Sequence, residues 1–130
     1  MSEKRNPVGW FEIYVDDMAR AKSFYEATFS LTLELLPSPD PSTEMWSFPM
    51  TEEHMNIYGA PGALCKMDGC SPGAGGVLIY FNCENCEMEA ERAADSGGTV
   101  IKPKFSIGEH GFISIVMDTE GNTIGLHSQE

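Results

Sequence analysis

VGWFEIYVDDMARAKSFYEATF, residues 8–29, and GVLIYFNCENCEMEAERAADSGG, residues 76–98, read as one unit written twice. Each is a short apolar strand, then an acidic or amide cap, then an amphipathic helix, and each is followed by short strand-like runs. Repetition of a whole supersecondary unit decides the fold more firmly than any single residue, because two copies that cannot bury their faces alone must pack. In the first copy Phe11, Ile13 and Val15 alternate with Trp10, Glu12 and Tyr14, which is the period of a half-buried strand. Asp16 and Asp17 precede a helix whose expected inner face is Ala21, Phe24, Tyr25, Thr28 and Phe29.

Working outward, strands are expected at Leu31–Leu36, Met45–Met50, Met55–Tyr58 and Ala63–Met67. SPDPS, with Pro37 just before it, forms a loop because proline denies ladder donors, and Thr51–His54 is a turn. GCSPGAGG, residues 69–76, joins the copies. In the second copy Val77–Cys83 is a strand and Asn85 the helix cap. Ala90, Ala93, Ala94 and Met88 form the apolar face, and Gly97 and Gly98 end the helix. Thr99–Phe105, Gly111–Met117 and Thr123–His127 are strands, with Asp118, Gly121 and Asn122 turning between the last two. The expected class is α+β: one domain over 1–130, built from βαβββ modules at 7–68 and 75–128, whose curved mixed sheets enclose a cavity.

The chain of 130 residues has 42% hydrophobic residues and a net charge of −12. That length supports one core, and the hydrophobic content argues against disorder. No apolar run approaches the ~20 residues of a membrane span, and MSEKRNPVGW carries no signal-peptide core, so a cytoplasmic location is expected. A strongly acidic chain repels phosphate backbones, which excludes nucleic acid as the expected partner. Its field favours a cationic small molecule, although acidic residues also simply keep a protein soluble.

WFEIYVDDMARAKSFYEATF at the front and GGTVIKPKF with GFISIVMDTEGNTIGLHS at the end resemble the vicinal oxygen chelate superfamily. That superfamily holds glyoxalase I, bleomycin-resistance proteins and extradiol dioxygenases. The resemblance covers nearly the whole chain and implies the tandem βαβββ fold and a homodimer. It says little about chemistry, since the fold hosts lyases, isomerases, dioxygenases and drug-binding proteins. In metal-dependent members, His, Gln or Glu from the first and last strand of each copy hold a divalent metal that chelates two substrate oxygens. The resemblance places three of those positions at Trp10, at Leu78 (or Val77) and at Gly125. The fourth lies within Ala63–Met67, where only Cys65 is a plausible ligand. Trp, Leu and Gly offer no side-chain donor, so no metal cofactor is expected.

Two residues on from each of those three positions, on the same strand face, stand Glu12, Tyr80 and His127. These are the candidate catalytic residues: Glu12 as general base or cation anchor, Tyr80 and His127 as hydrogen-bonding partners. The competing reading has Glu12 and Tyr80 bonded to each other and His127 near a solvated C-terminus. Trp10, Tyr14, Trp46, Phe48, Met50 and Phe112, with Met55, are the candidate ligand-binding residues, since aromatic and Met side chains suit flat or irregular molecules. Taken singly each of them fits an ordinary core better, while the cluster as a whole favours a pocket.

Cys83 and Cys86 form a CxxC between a strand and a helix, the local context of a redox pair. Glu84, Glu87, Glu89 and Glu91 oppose thiolate formation there. With no export signal in view, all four cysteines are expected as thiols. A zinc site with Cys65 and Cys70 is weakened by loose spacing. His54 and His110 sit in turn-like, solvated segments. The expected function is a glyoxalase/bleomycin-resistance-like protein that binds a small molecule without the usual metal. The alternative is a glyoxalase-type lyase or isomerase using Zn, Ni, Fe or Mn through unassigned ligands. A further alternative is a thiol redox or zinc site at Cys83/Cys86.

Overall fold

The computed structural model describes residues 6–38, 40–50 and 59–130. The expected turn at Thr51–His54 and strand at Met55–Tyr58, together with Pro39, His54 and Met55, lie outside the described residues. The rest follows βαβββ twice: β1 (Val8–Tyr14), α1 (Met18–Phe29), β2 (Glu34–Leu36), β3 (Glu44–Ser47), β4 (Gly62–Lys66), then β5 (Val77–Asn82), α2 (Cys86–Asp95), β6 (Thr99–Ser106), β7 (Phe112–Met117) and β8 (Thr123–Ser128). This is the α+β class read from the repeat. The chain forms two compact units, Trp10–Leu78 and Ile79–Glu130, the latter including the residues up to Gly9.

In the first unit β2, β3 and β4 pair antiparallel, and β4 pairs parallel with β1. A parallel neighbour needs a long crossover, and α1 with the strands after it supplies one. Asp17 caps α1, its carboxylate accepting the Arg20 N–H at 3.0 Å. Ser30 closes the helix in the left-handed conformation (φ 55), a role more often given to glycine. The core is Val15, Met18, Leu33 and Leu64, with Ile13, Ala21, Tyr25, Leu31, Trp46 and Phe48 packed around it.

The inner face of α1 differs from the sequence expectation. Met18, Ala21 and Tyr25 face the core, whereas Phe24 and Phe29 are 61% and 60% exposed. Both runs satisfy helical spacing, but Met18 at the first position and its continuation through Ala21 and Tyr25 point the buried stripe about one residue around the helix. Phe24 and Phe29 instead pack on Tyr25 from outside. Two strands are also shorter than expected: β2 is confined to Glu34–Leu36 and β3 stops at Ser47, before Pro49.

In the second unit β6, β7 and β8 pair antiparallel and β8 pairs parallel with β5, repeating the first arrangement. Asn85 caps α2 by accepting the Glu87 N–H. Ala90 and Ala93 face the core, while Met88 points out, correcting its place on the apolar face. The helix start is tied to the sheet by the buried Cys86 N–H, which donates to Ser128 Oγ at 2.9 Å. Asp118 binds the turn as expected. Its carboxylate accepts from the Glu120 and Asn122 N–H groups and the Asn122 amide, and these bonds hold its pKa below the usual carboxylate value.

Candidate functional site

Every sheet has one face under its helix. In the first unit that face is set by Leu64, opposite Ile13 on β1 and Trp46 on β3. Period-2 alternation therefore puts Trp10, Glu12 and Tyr14 on the other face, as the sequence predicts. There Glu12 lies opposite Ala63, and Ala63 opposite Ser47; Tyr14 lies opposite Cys65.

Glu12 is only 9% exposed, and its carboxylate is held at both oxygens. Tyr14 Oη donates to Oε1 at 2.7 Å, and the Trp10 indole N–H donates to Oε2 at 3.1 Å. A buried carboxylate is stable only when its oxygens are engaged, and charge-assisted bonds of this kind are the strong ones. The charge is felt by its neighbour: burial first, then the Glu12 carboxylate, raises the Cys65 thiol far above its ordinary value. Sequence reasoning names Trp10 and Tyr14 as lining residues and not as partners of Glu12. The W-x-E-x-Y alternation on one strand face was the signal that pointed to Trp10 and Tyr14.

In the second unit Tyr80 is buried opposite Gly125, and any Cβ at position 125 would overlap its ring. His127 lies two residues beyond Gly125, on the same face as Tyr80. Its Nε2–H donates to the His110 carbonyl at 2.5 Å, since a carbonyl can only accept. Tyr80 and His127 thus share a sheet face, and the imidazole is bonded to the backbone of the turn before β7.

The other candidates fall elsewhere. Trp46 and Phe48 pack on the helix side of the first sheet: Lys22 of α1 sits 3.3 Å over the Trp46 ring, and Phe48 meets Phe11 and Tyr25. They share no face with Glu12. The alternation that puts Trp10 on one face puts Leu64, the strand partner of Trp46, on the other. Phe112 belongs to the cluster of Cys86, Ala90, Val116 and Leu126 under α2, opposite the face of Tyr80 and His127. Met50 is half-buried beyond the end of β3. Two small clefts, of about 230 Å³ beside Glu44 and Lys66 and about 180 Å³ beside Ala93 and Met117, include none of the candidates.

The strand register also locates the fourth metal position left open by the sequence. Gly125 pairs with Tyr80, and the repeat counterpart of Tyr80 is Glu12, whose partner is Ala63. On the resemblance the four positions are therefore Trp10, Ala63, Leu78 (or Val77) and Gly125. None offers a side-chain donor to a divalent metal, and Cys65 lies two residues past the position, its thiol held protonated. The donor set does not fit the metal of the metal-dependent relatives. Among the described residues no group of three or more His, Cys, Asp and Glu side chains is arranged to hold a metal ion.

All four cysteines are free. Cys86 is fully buried, and Cys83 donates its thiol to the Phe81 carbonyl at 3.6 Å. Burial, followed by the Glu89 carboxylate, pushes the Cys83 thiol up to about 11 from an ordinary 9.0. Because the thiolate is the reactive form, the raised pKa leaves far less of it near neutral pH. Iodoacetamide labelling of Cys83, followed by mass spectrometry, is therefore expected to be slow at pH 8 and to rise steeply towards pH 11. Labelling at pH 8 as fast as that of a free peptide thiol would show that Cys83 is an activated residue.

The family model described as the glyoxalase/bleomycin resistance protein/dioxygenase superfamily matches residues 8–126, and the chain belongs to that superfamily. Among curated proteins no sequence match is found. Solved structures share the fold. A hypothetical protein from Bacillus halodurans is 15% identical with a TM-score of 0.71, covering 98% of this chain and 96% of that one. Methylmalonyl-CoA epimerase from Mycobacterium tuberculosis is 13% identical with a TM-score of 0.64, covering 95% and 88%. A Streptomyces coelicolor methylmalonyl-CoA epimerase in complex with 2-nitronate-propionyl-CoA is 17% identical with a TM-score of 0.61, covering 94% and 96%. No helix among the described residues is long and apolar enough to cross a membrane.

Proposed function

We propose that this chain is a metal-independent binding member of the superfamily, akin to its bleomycin-resistance branch. Its ligand is a small organic molecule taken on the strand face that presents Trp10, Glu12 and Tyr14. The observation that carries this reading is the donor set: the four positions from which relatives hold a metal carry Trp10, Ala63, Leu78 and Gly125. A buried carboxylate fixed by two aromatic donors stands beside two of them instead. Polar groups of this kind, few and rigidly placed among apolar neighbours, are what orient a small ligand.

Metal content by mass spectrometry tests it, on protein as purified and after loading with Ni²⁺, Zn²⁺, Fe²⁺ and Mn²⁺. Stoichiometry near zero in every case is expected. A metal at one per chain that survives removal of the cysteines would overturn the reading and direct attention to lyase and dioxygenase substrates.

A further inference from the structure

We propose that the outward face of α1 is a contact surface for a second copy of this chain, the two helices pairing antiparallel across a twofold axis. The proposal is independent of what the Glu12 face binds. Arg20, Ser23, Phe24, Ala27 and Thr28 recur at i, i+3, i+4, i+7 and i+8, which is one stripe of a helix. All five are exposed, and they lie away from the stripe of Met18, Ala21 and Tyr25 that faces the core. The outward stripe therefore holds one large aromatic ring, three small residues and a single charge.

Three observations select a second copy as the occupant. First, the stripe carries no acid in a chain of net charge −12. Such chains repel one another at long range, so a self-contact needs a patch without acidic residues. Glu26, the single acid of α1, is half-buried and turned to the chain that follows, its Oε2 accepting the Leu33 N–H at 2.9 Å. Second, the charges of α1 complement its own copy reversed. Arg20 stands in the first turn, where the helix dipole disfavours a cation, and the last turn has no basic residue to meet its negative end. The Ser30 and Leu31 N–H groups both donate to the Glu26 carbonyl. Among the described residues no backbone N–H reaches the carbonyls of Ala27, Thr28 and Phe29. With the axis between Ser23 and Phe24, Arg20 stands opposite the partner's Ala27, beside those carbonyls. Asp17, whose carboxylate accepts the Arg20 N–H, falls beyond the end of the facing helix. Third, the stripe is complementary to itself in shape. Ser23 and Ala27 are small enough to let two helix axes approach to ~8 Å. Phe24 then lies over the partner's Ser23, and burial of a ring that is 61% exposed stabilises the pair. One face of a 12-residue helix offers less than the ~800 Å² per partner of a stable interface, so the association is weak and governed by concentration.

Sedimentation equilibrium of the full chain from about 10 μM to 1 mM, the span of weak self-contacts, tests the association, and amide NMR spectra over the same dilution locate it. The wild type is expected to pass reversibly from monomer to dimer, and the amides of Ser23, Phe24, Ala27 and Thr28 to shift with concentration while those of α2 stay. Phe24→Glu, which sets two carboxylates beside the axis, is expected to weaken the dimer at least about tenfold. Arg20→Glu is expected to weaken it about tenfold, since the symmetry counts each lost contact twice. Adding Ala27→Arg to Arg20→Glu exchanges the charges across the antiparallel pair and is expected to recover most of the loss. Leu35→Glu, at an equally exposed apolar site on β2, is expected to change nothing. A wild type that stays monomeric throughout overturns the proposal and leaves the stripe to a different partner. A dimer that survives both Phe24→Glu and Arg20→Glu, or whose concentration-dependent shifts avoid α1, overturns it in favour of another face. Failure of Ala27→Arg to rescue overturns the antiparallel arrangement. The dilution series uses the wild-type chain, so it stands even if a variant folds poorly.

Discussion

Gly125→Glu, which puts back the residue type that metal-dependent relatives carry at this position, is expected to destabilise the protein by about 3 kcal/mol or more and to bring no metal with it. The backbone at Gly125 is not in the left-handed region, so a side chain meets no conformational penalty there. What it meets is the ring of Tyr80, across the β5–β8 pair. This makes the sign of a smaller change diagnostic. At an unhindered site Gly→Ala stabilises by ~0.4–1 kcal/mol, because it restricts the unfolded chain. At position 125 Gly125→Ala is expected to destabilise by ~1–3 kcal/mol, the usual cost of overpacking. Thermal or urea denaturation measures both, and a melting point for Gly125→Ala at or above wild type would mean that the Tyr80 ring moves freely aside.

The same pair predicts a coupling. Tyr80→Ala alone removes a buried ring, a loss of about 3–5 kcal/mol by analogy with other buried aromatics. In Gly125→Glu/Tyr80→Ala the overlap is gone, so the double variant is expected to lose less than the two single losses added together, by ~1–3 kcal/mol. Strict additivity would place Tyr80 elsewhere. Metal content is the second readout: with Trp10, Ala63 and Leu78 unchanged, one carboxylate cannot assemble a site of three or four ligands.

Much of this fold could be read from residues 8–29 and 76–98, because period-2 alternation, an Asp or Asn cap and a helical stripe are local signals. The face carrying Trp10, Glu12 and Tyr14 followed from alternation alone. The inner face of α1 did not, since Phe24 and Phe29 satisfy helical spacing as well as Met18 and Ala21 do. Which stripe is buried depends on the sheet beneath. Trp46, Phe48 and Phe112 were grouped with the ligand face on residue type. The face of Trp46 is fixed by register against Leu64 and that of Phe112 by its pairing with Ser128, and register is a property of strand pairs that no single run of residues encodes. The fourth metal position needed the same information: only the pairing of Glu12 with Ala63, parallel to that of Tyr80 with Gly125, singles it out. The hydrogen bonds of Glu12 were within reach of the sequence, because side chains at i and i±2 share a strand face.

Leu64→Ala is expected to cost 2–5 kcal/mol, the range for large-to-small changes in a closed core. Leu64 is 0% exposed and lies on β4, between β1 and β3, with Val15, Met18 and Leu33 around it. The cavity left by its isobutyl group would be walled by two strands, whose hydrogen-bonded ladders resist collapse, which argues for the upper half of that range. Leu35→Ala is the control: the same chemistry at 63% exposure should stay within ~0.5 kcal/mol. The consequence reaches the ligand face, because Ala63 and Cys65 flank Leu64 on the same strand and point the other way. If β4 is held in register mainly by Leu64, then Leu64→Ala should also loosen the Trp10–Glu12–Tyr14 arrangement across from it. The Trp10 indole signal should broaden or move in a protein that is still folded. A stability loss with that signal unchanged would instead show that the β1–β4 ladder fixes the register by itself, and that the core under α1 and the carboxylate face are independent.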